Sequence, residues 1–117
     1  MYKVLIVDDE IAICMGLTKL IDWTSYGFEA SGYALNGLEA LEKIKLDRYD
    51  VIVTDVRMPE IDGIELIRKI KDLEYDCKII IISGYKDFEY ARAAVEYGVR
   101  NYILKPINED VLISNQI

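Results

Sequence analysis

Val4-Leu5-Ile6-Val7-Asp8-Asp9 is an unbroken apolar run that stops on two carboxylates. The pattern recurs along the chain. Val51-Ile52-Val53-Thr54 runs into Asp55, Ile79-Ile80-Ile81-Ile82 into Ser83, and Tyr102-Ile103-Leu104 into Lys105. A fifth run, Phe28 to Ala34, ends on no such group. Near-continuous apolar runs suit strands buried on both faces, as in parallel α/β sheets. Such sheets bind ligands outside the carboxyl ends of their strands. If the runs are parallel strands, three carboxylates, a hydroxyl and an ammonium converge on one crevice.

The stretches between the runs have helical period. Ile13, Leu17, Leu20 and Ile21 repeat at i, i+4, i+7 and i+8. Leu38, Leu41 and Ile44 are expected to share a face, as are Leu66, Ile70 and Leu73, and Phe88, Ala91 and Val95. Asn36-x-x-Glu39 and Asp62-x-x-Glu65 have the form of capping boxes, and Gly98 stands where a left-handed stop would end a helix. The expected order is β1 (3–7), α1 (10–22), β2 (28–34), α2 (37–47), β3 (51–54), α3 (62–73), β4 (78–82), α4 (87–97), β5 (101–104) and a short α5 from about 108. Strict alternation of strand and helix implies right-handed crossovers and a parallel sheet covered on both faces. β2 alternates more and carries Glu29 and Ser31, which suits an edge. With β2 at the edge the strand order is 2-1-3-4-5, a flavodoxin-like (βα)5 doubly wound sheet. Its switch point lies between β1 and β3, where Asp8, Asp9 and Asp55 sit. The chain reads as a single domain over 1–117, with an α5 short enough that a longer parent protein is expected.

Composition excludes several function classes. A net charge of −7 and a pI near 4.6 make direct binding to a phosphate backbone an unsuitable role, and no basic stripe is present. Histidine is absent, which removes Ser-His-Asp and Cys-His catalysis and imidazole metal ligation. The two cysteines, Cys14 and Cys77, form no C-x-x-C pair and read as buried or half-buried free thiols in a reducing compartment. No signal-peptide pattern and no apolar run of membrane-spanning length occurs, so a cytoplasmic location without membrane contact is expected. No phosphate-cradling glycine motif supports nucleotide binding.

Asp8, Asp9 and Asp55 would repel one another unless a cation joined them. Mg²⁺ suits such a set, because it takes one or two carboxylates and keeps several waters. Lys105 adds a compact positive charge and Ser83 a neutral hydroxyl. A carboxylate so surrounded suits phosphoryl transfer to the carboxylate itself. Each residue has a plainer reading alone: Asp9 as a helix cap, Ser83 as a turn residue before Gly84, Lys105 as a solvated lysine before Pro106.

Taken in order, Asp8-Asp9-Glu10, Asp55 with Met58-Pro59 and Asp62-Gly63 behind it, Ser83-Gly84 and Lys105-Pro106 resemble the response-regulator receiver domain of two-component signalling. The resemblance covers essentially the whole chain. It implies that Asp55 accepts a phosphoryl group from a sensor histidine kinase. It implies that Asp8 and Asp9 hold Mg²⁺, with the backbone carbonyl of Arg57 completing the protein ligands. Ser83 is then the switch hydroxyl, Lys105 bonds the phosphoryl group, Tyr102 is the switch aromatic, and Lys105-Pro106 is a cis peptide. The surface of α4, β5 and α5 would change on phosphorylation and be read by a partner or by a second copy in a homodimer. Ser83 to Ala91 further resembles receivers attached to AraC-type transcription regulators, whose DNA-binding part would lie outside this chain. Arg57 and Tyr85, at the mouth of the site, are expected to slow hydrolysis of an acyl phosphate. Self-phosphorylation and self-dephosphorylation, rather than turnover of an external substrate, would be the chemistry. Two rivals are a haloacid-dehalogenase-like phosphatase, which wants an acid where Arg57 stands, and a docking module that is not phosphorylated.

Overall fold

A computed structural model describes residues 1–83, 92–93, 95–99 and 101–104, the last four as backbone. Its strands form one parallel sheet in the order β2-β1-β3-β4-β5, as the hydrophobic pattern requires. The elements are β1 (Tyr2–Val7), α1 (Ile11–Leu20), β2 (Phe28–Ala34), α2 (Gly37–Leu46), β3 (Val51–Asp55), α3 (Gly63–Asp72), β4 (Lys78–Ser83) and β5 (Asn101–Leu104). Asp55 and Ser83 thus end their strands rather than follow them. Lys105, Pro106, Tyr85, the first part of the expected α4 and all of α5 lie outside the described residues, as does the side chain of Tyr102.

Alternate strand residues feed two cores, because successive side chains point to opposite faces of a sheet. Leu5, Val7, Ile52, Ile79 and Ile81 pack with Ala40, Ile44, Leu66, Ile67 and Ile70 of α2 and α3. Val4, Ile6, Val53, Ile80 and Ile82 pack on the other face with Cys14, Ile21, Trp23 and Phe28. Burial on both faces explains why these strands read as continuous apolar runs. β2 is at the edge. Its register against β1 jumps between Val4↔Ala30 and Leu5↔Gly32, which leaves Ser31 as the extra residue of a bulge.

Three helical expectations need correction. Leu38, Leu73 and Val95 do not face the core; they are 45%, 51% and 81% exposed. In α2 the buried face is Gly37, Ala40 and Ile44, and in α3 it is Gly63, Leu66, Ile67 and Ile70. Both helices press a glycine against the sheet or its loops, and a helix turns about 100° per residue, which carries Leu38 away from that face. Near Val95 the core contacts come from Tyr97 and Val99.

α1 also ends earlier than its periodicity suggests. Ile21 is already extended, and Trp23–Tyr26 form a single 3-10 turn. The Trp23 Nε1–H donates to the Leu17 carbonyl at 2.9 Å, which draws the turn back under the helix end. Gly27, at φ 85°, ends the turn in the left-handed region.

The caps of α2 and α3 form as read. Asn36 and Asp62 side chains accept the amides of Glu39 and Glu65, each at 2.8 Å. α1 differs: its cap position is Glu10, whose side chain makes no capping bond. Asp62→Ala and Asn36→Ala should each lower unfolding stability in urea by about 1 kcal/mol, while Glu10→Ala should change little. Equal losses in all three variants would contradict this account of the caps.

Candidate functional site

Parallel register builds the site from its ends. Val7 pairs with Thr54, so Asp8 follows directly beside Asp55. Asp55 pairs with Ile82, which sets Ser83 one position further toward the carboxyl end of the neighbouring strand. Ser83 in turn pairs with Leu104, the residue before Lys105. Asp8 and Asp55 are buried, at 3% and 7% exposed, and Ser83 is fully buried. Asp9 is exposed.

The three carboxylates meet: one oxygen from each of Asp8, Asp9 and Asp55 lies within 4.8 Å of the others. Local backbone fixes two of them. Asp8 Oδ1 accepts the Glu10 amide at 3.0 Å, and Asp55 Oδ1 accepts the Val56 amide at 2.8 Å. Asp9 is not the cap of α1, so the plainer reading of that residue finds no support. Hard carboxylate oxygens in such a group are the donors that Mg²⁺ prefers, and the set fits that ion.

Behind Asp55 the chain is held tightly. The Thr54 hydroxyl donates to the Asp55 carbonyl at 2.9 Å, and the Gly63 amide donates to the Val56 carbonyl at 2.7 Å. α3 therefore starts in contact with the end of β3. A Cβ at residue 63 would lie 2.2 Å from the Asp55 carbonyl oxygen and 2.9 Å from Val56 Cα. Glycine is required by this approach, not by its φ. Between them the loop passes through exposed Arg57 and through Glu60 at φ 68°, a conformation uncommon for a side-chain-bearing residue.

Sequence reasoning missed two contributors. Gly63 was visible only as part of the Asp62-Gly63 pair, and nothing local announces its contact with β3. Cys14 read as a free buried thiol, which it is, but its sulfur reaches the Asp8 carbonyl at 3.4 Å. Burial first, then the nearby Asp8 charge, push the Cys14 thiol up to about 11. Burial likewise pushes Cys77 up to about 11. A cavity of about 630 Å³ lies at the opposite, amino-terminal end of the sheet, lined in part by Tyr2, Tyr26, Phe28, Arg48, Cys77 and Lys78. It contains none of Asp8, Asp9, Asp55 and Ser83.

A family model described as the response regulator receiver domain matches residues 4–116. The chain belongs to that family. It is 45% identical over 115 residues to an uncharacterized transcriptional regulatory protein, YesN, of Bacillus subtilis, covering 98% of this chain and 31% of that protein. The chain thus spans about a third of that relative's length. Among solved structures, the receiver domain of AraT, a response regulator from Geobacillus stearothermophilus, is 38% identical with a TM-score of 0.86, covering 97% of this chain and 88% of that one. A CheX–CheY–BeF3–Mg²⁺ complex from Borrelia burgdorferi is 28% identical with a TM-score of 0.86, covering 98% and 86%. The receiver fold and the transcription-regulator kinship expected from the motifs are therefore present. No helix among the described residues is long and apolar enough to cross a membrane.

The close approach at residue 63 can be tested directly. Gly63→Ala should destabilise the receiver by about 1–3 kcal/mol in urea unfolding, because backbone rather than a flexible side chain must move. The amide resonances of Val56 and its neighbours should shift in the same variant. A wild-type unfolding midpoint would show that the contact is not required.

Proposed function

We propose that this receiver is a phosphorylation switch in which Asp55 takes a phosphoryl group from a phosphohistidine of a sensor histidine kinase. The observation that carries the reading is the meeting of Asp8, Asp9 and Asp55 carboxylates at the β1/β3 switch point. A carboxylate oxygen of Asp55 forms a bond to phosphorus as the phosphorus–imidazole nitrogen bond breaks, leaving an acyl phosphate on Asp55 and the imidazole on the donor. Asp8, Asp9, Asp55 and the Arg57 carbonyl would hold Mg²⁺. Bound there, the ion supplies charge neutralisation for the transferring oxygens. The Borrelia relative, solved with BeF3 and Mg²⁺, supports this reading.

The remaining residues do the rest. Ser83, ending the strand beside Asp55, bonds a phosphoryl oxygen, and Lys105 pairs with another. The inward movement of Ser83 leaves space for Tyr102 on β5, and the α4-β5-α5 surface changes for a partner or a second copy. Arg57 and Tyr85 shield the acyl phosphate from water and lengthen its life. The domain turns over no external substrate; it undergoes its own phosphorylation and dephosphorylation. Residues 1–117 form one receiver domain acting in the cytoplasm, and DNA binding, if the parent protein resembles its transcription-regulator relatives, is carried by another part of it. The phosphatase alternative lacks an acid at Arg57, and the family match weighs against it.

Incubation with acetyl phosphate and Mg²⁺ should add one phosphoryl mass to the intact chain, labile to hydroxylamine. Asp55→Asn and a chelated sample should show none. An adduct of equal yield in Asp55→Asn would remove Asp55 from the role, and steady phosphate release without an adduct would favour the phosphatase.

A further inference from the structure

The backbone that presents the acidic cluster is gripped by a side chain from another element. Cys14 lies in α1 and is fully buried. Its thiol donates to the Asp8 carbonyl at 3.4 Å and, more weakly, toward the Ala34 carbonyl at 3.9 Å. The Ala34 carbonyl also accepts the Asp8 amide at 3.1 Å, where β1 and β2 end. One sulfur therefore joins the ends of two strands to α1, at the point where the chain leaves the sheet.

The contact bears on the site through peptide geometry. The Asp8 carbonyl and the Asp9 amide are one planar unit. A bond to that carbonyl restrains the plane from which exposed Asp9 departs. Asp8 is already tethered by the Glu10 amide, whereas Asp9 must be aimed by its backbone to meet the other carboxylates. Packing alone does not ask for a thiol: Cys14 belongs to a core cluster with Val4, Ile6, Ile21 and Trp23, in which an aliphatic side chain would also be at home.

We propose that Cys14 is a positioning residue for the acidic cluster, its thiol orienting the Asp8–Asp9 peptide so that both carboxylates face a divalent cation together with Asp55. The inference deepens the metal-dependent reading above and rests on it.

Donor and packing roles predict opposite orders among three variants. Cys14→Val keeps an apolar side chain of similar size and loses the donor. Cys14→Ala loses both. Cys14→Ser keeps a donor but buries a hydroxyl among apolar groups, which costs stability. Mg²⁺ titration calorimetry on the whole chain, urea unfolding and the Asp9 amide resonance would be measured for each. Val and Ala should weaken Mg²⁺ binding by roughly 3- to 10-fold, at or below the low end seen for groups that support metal ligands. Both should also move the Asp9 amide resonance without metal. Ser should bind Mg²⁺ more tightly than Val although it is the less stable of the two. Should Ser fail to fold, Val alone decides, since wild-type affinity and an unmoved Asp9 resonance in Val overturn the proposal. Affinities that simply follow stability overturn it as well. Equal Mg²⁺ affinity in every variant would remove Cys14 while leaving the phosphoacceptor reading intact. No Mg²⁺ binding by the wild type would overturn the metal reading and this inference with it.

Discussion

The parallel pairing of β1 with β3 is the constraint on which the site depends. In that register Val7 stands opposite Thr54, and whatever follows each residue is delivered to the same edge. Two buried carboxylates placed side by side in this way carry an electrostatic cost. The sheet can impose it because both strands are locked by apolar side chains on both faces. A slip of one residue would turn every strand side chain to the opposite face, so the cores hold the register that the carboxylates by themselves would oppose.

Short-range backbone bonds hold the loops around the carboxylates. Glu10 and Val56 amides each fix one carboxylate oxygen, and Gly63 brings the start of α3 onto the Asp55 peptide. The exposed end of the cluster, Asp9, has the fewest local reasons to be where it is. That is the reason the peptide behind it, and the sulfur that meets it, matter.

At the other end of the sheet the chain is tied differently. The Lys3 amide donates to Asp50 Oδ2 at 2.8 Å, the Asp50 amide returns a bond to the Lys3 carbonyl at 2.8 Å, and the Lys78 amide donates to the Asp50 carbonyl at 2.9 Å. Asp50 thereby aligns the starts of β1, β3 and β4. Tyr75 adds a brace, accepting the Tyr49 amide at 2.7 Å while the Arg48 guanidinium lies 5.2 Å over its ring. The Lys3–Asp47 ion pair nearby is 2.9 Å long but largely solvated and contributes little. Backbone bonds tie this pole together, and the opposite pole gathers the three carboxylates.

The five strands, their order, the edge position of β2, two of the helix caps and the Asp8–Asp9–Asp55 grouping were legible in the residues, because each follows from a local or periodic rule. A strand buried on both faces has to be apolar throughout, and a cap has to carry an oxygen. The tertiary structure decided which helix residues face the sheet. Leu38 and Leu73 satisfy a helical repeat yet are exposed: Gly37 takes the close contact at the start of α2, and Leu73 falls past the last turn of α3. It also decided the early end of α1, where the Trp23 indole bonds back to Leu17, and the meeting of Cys14 with Asp8. These depend on distances between elements remote in sequence or on how a turn folds back, and no periodicity encodes such distances.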